Sequence, residues 1–332
     1  MSYHVGKEFG SLMAMRRLTP ACLLVAWLFF LSASSLAQQP PEGQSGTFRS
    51  GIDLVTVSAT VRDGKGRLVQ DLTIRDFEVI DRGERRTISE FRAEQAPLSL
   101  AILVDVSGSM EVAERSTAAK FAAHHLLSWL QPGRDEAALF AFDSRLREVA
   151  PFTVDTRALQ GALGEVDPFG ATSLHDAIAE AAALVAVRPA ERRAIVVLTD
   201  GVDTASRLTP AQVSATAAAI DVPVYVIATV LAIDDPDSTM ATPQAGRAAP
   251  HSVGTVADLA RWTGGTLYYS SSSASASAAA RSLIEELRHQ YLIAFEPGAP
   301  AGWHPLEIRT TRRNTVVRAR GGYVAGGRRQ IW

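Results

Sequence analysis

The chain has 332 residues, of which 47% are hydrophobic and 20% charged, and its formal net charge is −2. A chain of this size and composition can bury one large core or two ordinary ones. The balance of charges lacks the basic footprint of a nucleic-acid-binding protein, so we expect no nucleic acid among its partners. Its one cysteine, Cys22, lies near the N-terminus, and loss of that segment would leave no disulfide or thiolate chemistry.

Residues 1–37 are typical of an export signal. Arg16 and Arg17 precede an apolar run over 21–31, and 35–37 reads Ser-Leu-Ala, which offers small residues where a signal peptidase cleaves. We therefore expect a protein that is exported to the periplasm or the extracellular space.

Cleavage would make Gln38 the first residue of the mature chain, with no membrane insertion afterwards. The alternative is an uncleaved membrane anchor, which is disfavoured because the apolar stretch over 21–37 is short for a stable span. The polar start of the chain leaves three candidate initiation sites, Met1, Met13 and Met15.

The next two segments are predicted to be a linker and a small β-unit. Residues 38–50 are rich in Gln, Pro, Gly and Ser, which is typical of a flexible linker. Within 51–96, alternating apolar residues separated by Gly-containing turns predict short strands over 52–61, 77–80 and 86–91.

Between 97 and 289 the pattern changes to alternating strands and helices. The predicted strands are 98–104, 137–142, 148–152, 194–199, 222–228 and 266–269, and the predicted helices are 112–130, 156–166, 174–187, 210–220, 255–262 and 279–288. The most apolar strands must be covered on both faces. This predicts an α/β fold with a doubly wound, mostly parallel sheet.

Three segments of this region carry more specific expectations. In the helix over 112–130, we expect the apolar face to include Phe121 and Trp129. The serine- and alanine-rich run over 270–280 is interpreted as a loop that leads into a helix. The irregular stretch over 232–252 holds three aspartates; a solvated surface loop is favoured there over a second cation site.

After residue 289 the two-residue period returns. Strands are predicted over 291–295, 304–308 and 315–320, within a C-terminal β segment that covers 290–325 and is followed by a tail over 326–332. Three strands at either end of the chain are unlikely to be stable alone. We therefore predict that the N- and C-terminal segments pair into one small β-sandwich that flanks the α/β domain.

The strand over 98–104 ends in a cluster of oxygen-bearing side chains. Asp105, Ser107 and Ser109 form a D-x-S-x-S pattern, and the strand over 194–199 also ends at a carboxylate, Asp200. Oxygen ligands of this type suit Mg²⁺. Since the carboxyl ends of parallel strands share one edge of a sheet, residues far apart in sequence can meet there. The alternative is a solvated turn without a metal.

With Thr172, these residues resemble the metal-ion-dependent adhesion site of the von Willebrand factor A domain, which uses D-x-S-x-S, a Thr and an Asp in this order. The resemblance implies that Mg²⁺, or Mn²⁺ in its place, is bound by five residues. They are Asp105, Ser107, Ser109, Thr172 and Asp200. It further implies that an Asp or Glu carboxylate of a partner protein fills the remaining coordination position.

The flanking segments are similar to those of exported bacterial VWFA-related proteins common in Acidobacteria. The similarity is carried by the run Leu72–Val79, by Gln290-Tyr291-Leu292 and by Arg320-Gly321-Gly322-Tyr323. With the central domain it covers nearly all of 50–325. This resemblance informs the architecture more than the function.

The expected function is divalent-cation-dependent protein binding or adhesion, without catalysis. A metal-assisted hydrolase is the first alternative. It is disfavoured because the chain lacks the G-x-S-x-G and H-E-x-x-H motifs. An enzyme that used Asp105 as a phosphoryl acceptor would need a lysine near the phosphoryl group, and the chain has only Lys7, Lys65 and Lys120. The second alternative is a structural scaffold without metal function, which five intact ligand positions disfavour.

Two further residues lie near the predicted ligands. His175, just after Thr172, is expected to be a surface histidine at the start of a helix rather than a base. Asp203 is expected to cap a turn after Gly201 rather than to orient a metal-bound water.

Overall fold

The computed structural model describes residues 54–110, 115–163, 170–219, 221–231 and 251–326, with the backbone alone at 218, 219 and 251–255. The predicted signal and linker, and nearly all of the predicted tail and of the acidic 232–252 stretch, lie outside these residues. The strands are β1 (Val55–Asp63), β2 (Phe77–Asp81), β3 (Glu84–Arg86), β4 (Ile88–Arg92), β5 (Leu98–Asp105), β6 (Glu136–Phe142), β7 (Leu146–Thr153), β8 (Arg192–Thr199), β9 (Val224–Thr229), β10 (Leu267–Ser270), β11 (Tyr291–Phe295), β12 (Gly302–Thr310), β13 (Thr315–Arg318) and β14 (Gly322–Ala325). The helices are α1 (Arg115–Trp129), α2 (Thr156–Ala162), α3 (Leu174–Ala186), α4 (Pro210–Ala219), α5 (His251–Thr263) and α6 (Ser273–Arg288).

The central sheet has six strands in the order β10-β9-β8-β5-β6-β7. All neighbouring pairs are parallel except β6 and β7, which are antiparallel at the edge. Every residue of β5 is buried, because helices cover both faces of the sheet. The core between the sheet and α1, α2 and α6 lies on one face, and the core against α3, α4 and α5 lies on the other.

The remaining strands form two four-stranded antiparallel sheets, in the orders β13-β1-β11-β4 and β14-β12-β2-β3. Each sheet combines strands from both ends of the chain. Apolar side chains of both sheets, among them Val57, Phe77, Ile293 and Ile308, share one buried cluster. The predicted fold class, a doubly wound α/β sheet with a β-sandwich from the flanking segments, is thus confirmed.

Two local expectations are wrong. On α1 the buried face consists of Ala and Leu residues, whereas Phe121 and Trp129 are 49% and 41% exposed. The run over 270–280 is mostly helical, because α6 begins at Ser273 after a cap formed by Ser272 and Ser275. Small alanines of this run are buried in the core that α6 shares with α1, which allows the two helices to approach closely.

Candidate metal centre

The three loops that carry the predicted ligands meet at the carboxyl end of the central sheet. β5 lies between β6 and β8, which follow it in opposite directions across the sheet, so its end is the point where strand order reverses. Asp105 ends β5, and Asp200 directly follows β8. The backbone N–H of Gly108 donates to the carbonyl of Gly170 at 2.9 Å, which joins the loop before α3 to the loop after β5.

The loop after β5 is bent by its own side chains. The backbone N–H of Ser107 donates to Oδ1 of Asp105 at 2.9 Å, a bond typical of an Asx-turn. The hydroxyls of Ser107 and Ser109 lie 3.0 Å apart, so the alternate positions of the motif place their oxygens on the same side. Asp105 and Ser107 are buried, and Ser109 is partly exposed.

Asp105 is held by a residue that the sequence did not single out. The hydroxyl of Thr199, the last residue of β8, donates to Oδ2 of Asp105 at 2.5 Å and accepts from the N–H of Gly201 at 3.0 Å. Burial raises the pKa of Asp105 to about 6, although the bonds from Thr199 and Ser107 oppose this change. This value includes a smaller increase caused by the nearby negative charge of Asp200.

Thr172 and the loop after β8 are connected through backbone hydrogen bonds. The carbonyl of Thr172 accepts from the N–H groups of Thr204 and Ala205, both at 2.9 Å. The N–H of Thr172 donates to the hydroxyl of Thr204 at 3.0 Å. Thr172 itself is buried. Hydrogen bonds therefore join the loop before α3 both to the loop after β5 and to the loop after β8.

His175, which is buried, and Asp203, which is half-buried, form a pair close to Thr172 in the fold. His175 Nδ1 lies 2.8 Å from Oδ2 of Asp203, and the Ser206 hydroxyl donates to the same oxygen at 2.6 Å. The expectation of a surface histidine is wrong, since the side chain of His175 is 8% exposed and burial lowers its pKa. Asp203 accepts the N–H of Ser206 at 3.1 Å, as a turn cap does, and also fixes the start of α3 through the N–H of His175 at 3.0 Å.

Arg115 adds a positive charge that sequence analysis missed. Its Nη1 lies 3.0 Å from Oδ2 of Asp200, whose side chain is 2% exposed. The sequence offers no signal for this contact, because 84 residues separate the two in the chain and only the fold brings the start of α1 to the end of β8.

The donors fit a hard divalent cation. Two buried carboxylates and three hydroxyls are oxygen ligands, which Mg²⁺ and Mn²⁺ prefer. Two negative charges removed from water need compensating positive charge, of which Arg115 supplies one. Within the described residues, no group of three or more His, Cys, Asp or Glu side chains is placed to hold a metal, so any cation here depends on the hydroxyls as well.

Comparisons with known proteins agree with this description. Residues 100–202 match the family model of the von Willebrand factor type A domain. No curated protein sequence gives a significant match. No helix in the described part of the chain is both long and apolar enough to cross a membrane.

Several solved structures are similar to this chain at low identity. A von Willebrand factor type A protein from Catenulispora acidiphila is 14% identical over 84% of this chain and 76% of its own, with a TM-score of 0.47. An aerotolerance-related membrane protein from Bacteroides fragilis is 20% identical over 57% of this chain and 98% of its own, with a TM-score of 0.43. The vWF domain of the type V pili tip protein Mfa5 from Porphyromonas gingivalis is 23% identical over 34% and 40%, with a TM-score of 0.30.

Likenesses of this size support no conclusion about function. The family match falls on the segment that runs from β5 through the loop after β8 and holds all of the predicted ligands. The central part of this chain is therefore a von Willebrand factor type A domain.

Proposed function

We propose that this protein binds a partner protein through a divalent cation, Mg²⁺ or Mn²⁺, held at the carboxyl end of the central sheet. The observation that supports this most is the meeting of two buried carboxylates, Asp105 and Asp200, with three hydroxyl-bearing loop residues at one sheet edge. Interaction and adhesion are the general roles of von Willebrand factor type A domains, which favours a binding role over catalysis.

In this proposal the cation is held by Asp105, Ser107, Ser109, Thr172 and Asp200, and hydrogen bonds orient both carboxylates. Thr199 and the N–H of Ser107 orient Asp105. The N–H of Val202 orients Asp200 through Oδ1 at 3.2 Å. A cation held by these residues would keep a further coordination position, and a carboxylate oxygen from an Asp or Glu of the partner would fill it.

Export of the chain is part of the proposal. The signal pattern over 1–37 supports it, because a segment of this kind directs a protein to the periplasm or out of the cell. N-terminal sequencing of the protein from its native host should find Gln38 as the first residue. A mature chain that retains the apolar run over 21–37 would instead indicate a membrane anchor.

The metal site is tested by calorimetric titration of Mn²⁺ and Mg²⁺ into the wild-type protein and into Asp105→Ala and Asp105→Asn. We expect one binding site in the wild type and no detectable binding in either variant. Asp258→Ala is the matched control, because Asp258 is an exposed carboxylate that pairs with Arg261 on α5. Circular dichroism verifies that each variant is folded.

Two results would overturn the proposal. One is a wild-type protein that binds neither cation, whether the buffer contains chloride or acetate. The other is an Asp105→Asn variant that is folded and binds Mn²⁺ as tightly as the wild type, since that would place the cation elsewhere.

A further inference from the structure

The strongest unexplained feature near the candidate metal centre is the position of Arg115. As the first residue of α1, it reaches across to the loop after β8, where its Nη1 donates to Oδ2 of Asp200 at 3.0 Å. Its side chain is 24% exposed, so it lies partly buried beside a carboxylate that is almost fully buried. Its Nε is also buried, and within the described residues it has no hydrogen-bond partner.

The charge count at this edge depends on Arg115. Asp105 and Asp200 contribute two negative charges when ionised, and Arg115 contributes one positive charge, because a guanidinium stays protonated in proteins. Among these three side chains, a bound dication would therefore leave one excess positive charge. Without Arg115, the same dication would exactly neutralise the two carboxylates and leave no charge for a ligand to balance.

The geometry allows Arg115 and a cation to share Asp200. A carboxylate has about four lone-pair positions, and Arg115 uses one of them on Oδ2 while the N–H of Val202 uses one on Oδ1. A guanidinium also has five N–H donors in a planar fork that matches a carboxylate. Arg115 can thus remain at the site and offer further donors to an anion that approaches the cation.

We propose that Arg115 makes the centre selective for an anionic ligand, by holding one positive charge beside Asp200 that weakens cation binding alone and strengthens binding of a cation together with a carboxylate. This inference rests on the proposed function, and it explains how ligand and cation become mutually dependent. By linkage, an anion that binds more tightly to the loaded site must raise the affinity for the cation by the same factor.

The inference is tested with Mn²⁺ as the cation and acetate as the carboxylate probe. The Kd for Mn²⁺ is measured by calorimetry in sodium chloride and in sodium acetate at equal ionic strength, with a correction for acetate that binds Mn²⁺ in solution. The proteins are the wild type, Arg115→Gln, Arg115→Lys and Arg157→Gln. Arg157 is the matched control because it is exposed on α2.

We expect acetate to tighten Mn²⁺ binding by the wild type several-fold. Arg115→Gln should bind Mn²⁺ about tenfold more tightly in chloride, since one nearby positive charge is removed from a partly buried site, and should gain little from acetate. Arg115→Lys keeps the charge and should resemble the wild type more than Arg115→Gln does. Arg157→Gln should match the wild type in both salts.

Each outcome has a distinct meaning. If Arg115→Gln binds Mn²⁺ no more tightly than the wild type and shows the same gain from acetate, the role of Arg115 is wrong and the proposed metal site stands. If no protein binds Mn²⁺, the proposed function itself fails. If only Arg115→Gln binds Mn²⁺ in chloride, the inference is supported in a stronger form, in which Arg115 blocks the cation until an anion is present.

Discussion

At the scale of single residues, a buried carboxylate far from the metal centre shows how the β-sandwich is held together. Asp81, at the end of β2, is fully buried. Its Oδ1 lies 2.7 Å from Nδ1 of His304 on β12, and its Oδ2 accepts the N–H of Gly298 at 2.9 Å. The hydroxyl of Tyr323 on β14 lies 3.3 Å from the same ring nitrogen of His304. One carboxylate thereby connects β2, β12 and the loop that precedes β12.

The electrostatics of Asp81 give a pH prediction. Burial opposes its ionisation, but the bonds from Gly298 and His304 outweigh burial and hold its pKa below the ordinary value. A lowered pKa means that the ionised form stabilises the fold above the unfolded-state pKa of about 4. That contribution is lost as the pH falls through the lower pKa of the folded state.

Asp81→Asn should therefore cost about 2 kcal/mol of unfolding free energy near neutral pH. The difference between wild type and variant should shrink as the pH is lowered from about 5 to about 2, because the wild-type carboxyl is then protonated and resembles the amide. Urea unfolding of both proteins at several pH values across this range measures the difference in unfolding free energy. A difference that stays constant with pH would show that the charge of Asp81 does not stabilise the fold.

The predicted ligand residues could be found from sequence because their motif has a fixed spacing at a strand end. The residues that support them could not. By sequence alone, Thr199 is an ordinary β-branched residue of a buried strand, but its hydroxyl donates a hydrogen bond to Asp105. By sequence alone, His175 is a polar residue at the start of a helix, but its side chain is buried and contacts Asp203 of the loop after β8. Such contacts form between loops that are distant in the chain, so a local sequence pattern does not predict them.

At the scale of elements, the turn from α5 into β10 is packed against the neighbouring strand. A Cβ atom on Gly265 would lie 1.9 Å from the carbonyl oxygen of Val224 in β9, so no side chain fits there without a shift of the backbone. Gly264, beside it, has a φ of +89° that only glycine adopts readily. This pair of glycines therefore fixes how closely β10 approaches β9.

Gly265→Ala should destabilise the protein by about 3 kcal/mol or more, because the clash is with backbone rather than with a flexible side chain. Gly161→Ala is the matched control. A Cβ on Gly161 in α2 meets nothing within 4 Å, and alanine there should stabilise the helix by about 0.5 kcal/mol. Denaturant unfolding of both variants measures the difference. Equal stabilities would show that the turn adapts to a side chain.

The helix within the 270–280 run was difficult to predict from sequence because serines interrupt the apolar pattern of its alanines. Ala276, Ala279 and Ala280 have helical spacing and are buried, whereas the intervening serines suggest a polar loop. β14 was not predicted as a strand either, because it is only four residues long and contains a glycine at its start. Short elements of this kind are stabilised by tertiary contacts rather than by their own propensity.

At the scale of the whole molecule, one buried glutamate joins the α/β domain to the β-sandwich. Glu286, on α6, is fully buried. Its carboxylate accepts from Arg62 of β1 at 2.7 Å and from Arg318 of β13, which neighbours β1 in the same sheet. The hydroxyl of Tyr225 on β9 donates to it at 2.8 Å. Glu286 of α6 therefore connects the central sheet, through Tyr225, to the sandwich, through Arg62 and Arg318.

Glu286→Gln should cost about 3 kcal/mol of unfolding free energy, because two partly buried arginines lose their negative partner. Glu285→Gln is the matched control: Glu285 is the next residue of α6, and its pair with Arg281 is exposed, so its loss should cost less than about 1 kcal/mol. Thermal and urea unfolding measure the loss of stability in each of the two variants. Equal effects would show that the buried contact adds nothing beyond an ordinary surface ion pair.

The pairing of the two chain ends could be predicted because three short strands cannot bury their apolar face alone. The order of strands within each sheet could not. β1 pairs with both β11 and β13, yet its alternating pattern would suit any neighbour that exposes an apolar face. The order of the central sheet was constrained more strongly, because the crossovers of parallel strands have a fixed hand.

The most direct test of the central claim is anomalous diffraction from crystals of the protein grown with Mn²⁺. The account predicts a peak about 2.1 Å from oxygen atoms at the carboxyl ends of β5 and β8, with Asp105, Ser107, Ser109, Thr172 and Asp200 around it. A peak at another position, or none at this edge of the sheet, would contradict the assignment of these residues as metal ligands.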